Sequence, residues 1–283
     1  MNLLSVLLYP PILLGGVLLF ISGLVFPIPG VFILRLNLVP LRFVMMHGAL
    51  LGGALALWIG ISPLPMALAV NLLLIGTLAL WGGLGGGKES SNLQGSKTTT
   101  FLMVTTIALA FLVIYKANVP AKDTLALLWG SIYALDKVDV WSFIGIAGCN
   151  AFYILRWHRE ILAVLYDREI ARTAGARASF HGVVIVLLAG LTVSLAMRFL
   201  GALLVDAVVL LPAFIGVSLG RSGRGSFRIA SLSGGVSSLL GFLGAILVDI
   251  PVSSSVTLCA VVLFGLALGW RSIRVHIDGG KVQ

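Results

Sequence analysis

Apolar runs of about twenty residues, recurring along most of the chain, constrain this fold more than any other feature. Two of them read GVVIVLLAGLTVSLAM (182–197) and VSSSVTLCAVVLFGLALGW (252–270). A bilayer's hydrocarbon core is about 30 Å thick, and a helix needs roughly 20 apolar residues to cross it. Runs of this kind lie at 6–34, 41–60, 64–84, 101–116, 141–157, 180–199, 202–219, 229–248 and 252–270. They are continuous rather than alternating with period two, which excludes a transmembrane β-barrel. The fold class that follows is all-α: a polytopic integral membrane protein of about nine transmembrane helices, in a single domain over 1–283.

Composition agrees with a membrane solvent. Hydrophobic residues make up 59% of the chain and charged residues 10%, with a mean hydropathy of +1.11. A soluble domain needs more polar surface than this to cover its core. The net charge of +9 does not signal nucleic acid, because the basic residues gather in the short connections between apolar runs instead of along one face. Arg35 and Arg42, Lys88 and Lys97, the group from Arg156 to Arg177, Arg221 to Arg228, and Arg271 and Arg274 all fit cytoplasmic loops. With nine spans, that places the amino terminus outside and the carboxyl terminus inside. No Lys or Arg precedes Arg35, so the amino-terminal run reads as a first membrane segment rather than a cleaved secretory signal. Cys149 and Cys259 sit in apolar segments and are too few for a disulfide framework.

Three connections stand out. Residues 85–99 are Gly/Ser-rich and polar, and read as a flexible cytoplasmic loop. Residues 117–139 hold the apolar piece TLALLWGSIYAL, too short to span and suited to a re-entrant or surface helix. Residues 156–177, RWHREILAVLYDREIARTAGAR, do not span, yet Ile161, Leu162, Leu165, Ile170 and Ala171 recur near helical spacing. A pair of short helices at the cytoplasmic face follows. It is either an amphipathic surface element resting on anionic lipid or a docking element for another protein.

The stretch Tyr166-Asp167-Arg168-Glu169-Ile170-Ala171-Arg172-Thr173-Ala174-Gly175 resembles the coupling segment of the permease subunits of zinc, manganese and iron ABC importers. That family carries an aromatic residue, Asp, three residues, Ala, three residues and Gly. Here Asp167, Ala171 and Gly175 match, with Tyr166 and Glu169 in the same segment. GALLVDAVVLLPA (201–213) and Asp249-Ile250-Pro251 resemble two further family motifs in the same order, although Ser253 replaces the glycine usual after the second. GVFILR (30–35) and the segment that follows resemble the family's opening stretch. The resemblance implies a plasma-membrane permease subunit of a prokaryote, paired with a second copy. It also implies a separate cytoplasmic ATPase that grips the coupling segment and uses ATP, and an extracytoplasmic metal-binding protein. The metal ion is then transported cargo and no permanent cofactor is expected. The sequence contains no Gly-x-x-x-x-Gly-Lys-[Ser/Thr] phosphate loop of its own.

Within FVMMHGALLGG (43–53), His47 is the one histidine of the four that falls well inside an apolar run. Such residues are costly in lipid and usually face a polar pathway, unless they bond a neighbouring helix. Arg35 to His47 is 12 residues, about 18 Å if continuous helix, which puts His47 near mid-membrane. The resembled family has an Asp four residues before this His, on the same helix face, and both help bind metal; here that position is Phe43. Asp206 stands where the family has a small apolar residue. It could supply the missing carboxylate, or sit at a cavity rim bonded to backbone. Met45 and Met46 could add soft thioether ligands, although methionine in such a helix more often packs. Gly48, Gly52 and Gly53 let helices approach closely and leave room beside His47. A self-sufficient secondary transporter of small metabolites remains the alternative in a different class. An inert scaffold would leave His47 and Asp206 unexplained.

Overall fold

The structure, a computed structural model, describes residues 9–80, 89–120, 130 and 136–279. Among them the regular elements are all helical: α1 (Pro10–Val25), α2 (Pro27–Arg35), α3 (Val39–Ile59), α4 (Pro63–Leu80), α5 (Glu89–Lys116), α6 (Lys137–Tyr166), α7 (Arg168–Thr173) and α8 (Ala178–Val205). A π-helical turn (Asp206–Leu210) follows, then α9 (Leu211–Leu219), α10 (Gly223–Val248) and α11 (Val252–Gly279). Among the described residues, eight helical stretches are long and apolar enough to cross a membrane. The expected seventh span, 202–219, is helical throughout, with a π-helical turn inside it that interrupts the regular α-helix. Gly201 leaves helical geometry at φ 77° and ψ 165°, and the apolar helix beyond it, Asp206–Leu219, is shorter than a full crossing. The expected loop at 85–99 also changes, since α5 begins at Glu89. Once the apolar 101–116 segment forms helix, extending it upstream needs only propagation, not a new nucleus. Residues 85–88, and all of 117–139 beyond 117–120, Gly130 and 136–139, lie outside the described residues.

The chain divides into two compact units, Met1–Val31 with Leu203–Gln283, and Phe32–Ala202. In the first, prolines shape the opening helices. Pro27 has no N–H, so the carbonyl of Gly23 loses its helical donor. Gly234 of α10 lies directly against that oxygen, where any Cβ would collide with it and with Pro27. One residue on, Ser231 Oγ donates to the Leu24 carbonyl at 2.6 Å. Small residues continue this seam, since a Cβ on Gly16 would meet the Phe242 ring 2.7 Å away and one on Gly30 would meet Ala213 Cβ at 3.0 Å. Such residues bring backbones close enough for dispersion to hold helices together in lipid.

The second unit is pinned by polar side chains from apolar runs. Asn71 of α4 is fully buried. Its Nδ2 donates to the Met45 carbonyl of α3 at 2.8 Å and to Ser194 Oγ of α8, which in turn donates to the Gly190 carbonyl at 2.8 Å. Gly48 lies flat against Asn71 and Leu74, Gly52 against the Ala67 backbone, and Gly190 against Met45 and Ile75. Gly53 is buried on the same helix. Between α6 and α8 run a buried ion pair, Asp139 with Arg198 Nη2 at 3.1 Å, an Asn150–Thr192 hydrogen bond at 3.2 Å and a Phe143–Phe199 ring contact. Asp139 also closes a capping box by accepting from the Asp136 N–H at 3.1 Å. Interhelical hydrogen bonds in lipid contribute roughly 0.6–2 kcal/mol each.

Close approach at Gly48 yields a direct prediction. Gly48→Ala forces its methyl into Asn71 and should lower stability by about 1–3 kcal/mol. Gly145→Ala on α6, where a Cβ meets open space, should be neutral or stabilising by up to about 1 kcal/mol. Thermal unfolding of the two variants in detergent checks both signs.

A candidate coupling segment and pathway helix

The segment that follows α6 is built by local backbone chemistry. α6 bends at Trp157, whose φ of −120° and ψ of 24° are not helical, and then runs on to Tyr166. Asp167 is extended and caps α7, its Oδ1 accepting from the N–H groups of Glu169 at 2.7 Å and Ile170 at 3.0 Å. Gly175 ends the turn at φ 82°. The Gly175 N–H reaches the Arg172 carbonyl at 3.1 Å and the Ala176 N–H reaches the Ala171 carbonyl at 2.9 Å, the paired bonds of a Schellman stop. Ala171 is fully buried between Val164 and Ala178, with Ala163 and Ala176 at the edge. The Asp-x3-Ala-x3-Gly spacing is therefore cap, core and stop of one short helix.

What faces outward is equally specific. Tyr166, at the end of α6, is 86% exposed, and Ile170, in α7, is 57% exposed. Asp167, Glu169, Arg172 and Thr173 are exposed beside them. Arg172 Nη2 donates to Ser179 Oγ at 3.0 Å, strapping α7 to the first turn of α8. A rigid knob that displays an aromatic, an aliphatic and charges of both signs suits protein docking better than a wholly basic lipid-binding face.

His47 sits in the third turn of α3, and the chain before it is not one continuous helix. Asn37 takes a left-handed φ of 54°, and the Leu38 N–H bonds the Ile33 carbonyl at 2.8 Å, ending α2 before α3 begins. Arg35 and His47 are thus not on one helix, and His47 lies about 12 Å along α3 from its start. His47 and Met46 are half-buried, whereas Met45 is wholly buried against Gly190. Phe43, at the position of the family's Asp, carries the Arg42 guanidinium 4.1 Å over its ring. Asp206 opens the π-helical turn in the other unit, half-buried, and its carbonyl accepts from the Leu211 N–H. π-turns of this kind often mark functional positions. Among the described residues, no three His, Cys, Asp or Glu side chains converge as a metal cluster.

The structure adds polar residues that the sequence reading passed over: Asn71, the Asp139–Arg198 pair, and a Tyr153–His181–Glu160 group at the base of the coupling segment. Their signal was a polar or charged residue inside an apolar run, visible at Asn71, Asn150 and Arg198.

These features define a multi-pass helical membrane protein with the fold of ABC-importer permeases. Residues 10–270 match the model of the ABC 3 transport family, and the chain belongs to that family. It is similar to the "Manganese transport system membrane protein MntC" of Halalkalibacterium halodurans, at 23% identity over 63% of this chain and 61% of the relative. It is also similar to "High-affinity zinc uptake system membrane protein ZnuB" of Haemophilus influenzae, at 24% identity over 52% of this chain and 56% of the relative. The aligned region thus spans about three-fifths of these curated relatives or less. A solved structure described as "PsaBC from Streptococcus pneumoniae in complex with Fab" shares the fold at a TM-score of 0.78, with 20% identity over 94% of both chains. A second, "An inward-facing conformation of a putative metal-chelate type ABC transporter", superposes at 0.69, with 18% identity over 90% of this chain and 85% of that one. Membership of this family, together with eight apolar helices among the described residues, places the chain in a prokaryotic plasma membrane.

If Asp167 serves as a cap, Asp167→Ala should cost α7 about 1 kcal/mol, raising amide exchange over 168–176 about fivefold. Asp167→Asn, which can still accept, should stay near the parent. Hydrogen–deuterium exchange of the purified protein distinguishes them.

Proposed function

We propose that this chain is the membrane-spanning permease subunit of an ATP-driven importer of divalent metal ions, in the manganese, zinc and iron class. Its two compact units together form one permease domain. A second copy completes the pathway, a separate cytoplasmic ATPase docks on α7, and an extracytoplasmic binding protein delivers the ion. The observation that carries this reading is the capped, exposed α7 in a chain of the ABC 3 transport family. Relatives named for manganese and zinc transport support the cargo class.

In this reading the ion passes His47, whose imidazole suits manganese, zinc or ferrous iron. Asp206 supplies the carboxylate that Phe43 displaces, and Met46 lines the same turn of α3. A pathway must release what it binds, so few ligands and weak binding serve transport better than a closed cage. ATP-driven closure of the partner displaces α7, and the attached helices move as rigid bodies.

Reconstitution in liposomes tests the whole reading. With the cognate ATPase and ATP, 54Mn2+ or 65Zn2+ should accumulate, and His47→Ala and Asp206→Asn should each cut uptake severalfold while ATP hydrolysis continues. Uptake by this chain alone, without ATPase, would show a secondary carrier instead. Unchanged uptake in Asp206→Asn would remove Asp206 from the site.

A further inference from the structure

The buried polar group at the root of the coupling segment has no part in the pathway just described. His181, in the first turn of α8, is 2% exposed. Its Nδ1 lies 2.7 Å from Tyr153 Oη and its Nε2 meets the Glu160 carboxylate. An ionised Glu160 accepts the Nε2–H, which leaves Nδ1 as the acceptor for the Tyr153 O–H. One imidazole therefore joins three chain positions in a single hydrogen-bonded line.

Those positions matter because of where the helix breaks. Tyr153 precedes the bend at Trp157 and Glu160 follows it. The Trp157 ring at the bend lies 5.4 Å from the Tyr153 ring and 6.4 Å from His181, and Phe180 meets His181 edge-on at 5.4 Å. Between Glu160 and His181 the chain makes its whole excursion through α7. The excursion has its own small core at Val164, Ala171 and Ala178, and its own strap from Arg172 to Ser179. A bend with only aromatic packing behind it would flex when α7 is pushed, since a few residues that leave regular geometry can absorb a hinge motion. The hydrogen-bonded line spans the bend and closes the excursion at its base.

We infer that Tyr153, His181 and Glu160 are positioning residues that stiffen the Trp157 bend, so that movement of α7 is delivered to α6 and α8 together. This rests on the proposed docking of an ATPase at α7. His181 touches no cargo. It acts by holding the angle between the segment that is pushed and the helices that must move, and stiff, two-state elements of this kind carry coupling between distant sites.

The test uses the complete complex of this chain and its ATPase in proteoliposomes, reading 54Mn2+ imported per ATP hydrolysed. Glu160→Met, His181→Phe and Tyr153→Phe, none of which can make the bond it replaces, should fold, by gel filtration and melting, and should hydrolyse ATP, yet import at least about fivefold fewer ions per ATP, a coupling loss of the size usual between linked sites. The exchange Glu160→His with His181→Glu restores the hydrogen bond in reverse and should recover the ratio. An unchanged ratio in the single variants overturns the inference, as does parallel loss of hydrolysis and uptake in Tyr153→Phe, which removes one oxygen. If the unaltered complex shows no ATP-driven uptake, the proposed function fails and the inference falls with it. If it does show such uptake, the ratio judges the clamp alone.

Discussion

Inside a bilayer no water can satisfy a polar group, so every donor and acceptor placed there must find its partner within the protein. Much of this structure follows from that requirement. Pro27 takes a donor from the Gly23 carbonyl, and the seam opposite is Gly234 beside Ser231, which serves the next carbonyl in line. Asn71 sits in an apolar run where an unpaired amide N–H would cost several kcal/mol. Its amide nitrogen instead joins α3, α4 and α8 at one point. The glycines at 48, 52 and 190 are small because these junctions need the backbones close.

The coupling segment is where the requirement is relaxed. From Trp157 onward, exposed groups become tolerable, and the chain builds a six-residue helix that isolated peptide physics would not sustain. Asp167 supplies the start, Gly175 the stop and Ala171 the anchoring contact. With its backbone held by these three, the outward residues are free to be chosen for a partner. Tyr166 and Ile170 are large apolar side chains left uncovered, which a chain keeps where something else covers them.

Most of the architecture was legible in the sequence because hydropathy reports the solvent directly. What it could not report was continuity. The run at 202–219 is as apolar as its neighbours, yet Gly201 kinks the chain just before it and a π-turn interrupts its α-helical register before Pro212. The polar stretch before 101 looked like a linker, yet helix propagated into it. Arg35 and His47 seemed to share a helix, but Asn37 adopts a left-handed turn between them. In each case one residue's backbone geometry decided the outcome, and composition averages over single residues. Motif spacing fared better at the coupling segment, because its three marked positions each do a separate structural job. The pathway was less legible, since Phe43 stands where the resembled family has its acid and no spacing rule says which residue replaces it.

The account stands on α7 facing the cytoplasm and being covered there by a partner, and site-directed labelling reads this most directly. In the chain carrying Ile170→Cys, with Cys149 and Cys259 replaced by Ser, a membrane-impermeant maleimide should react in inside-out vesicles. It should fail to react in right-side-out vesicles, and the ATPase subunit should block the reaction when bound. Labelling from the outside, or labelling unaffected by the ATPase, would contradict the account.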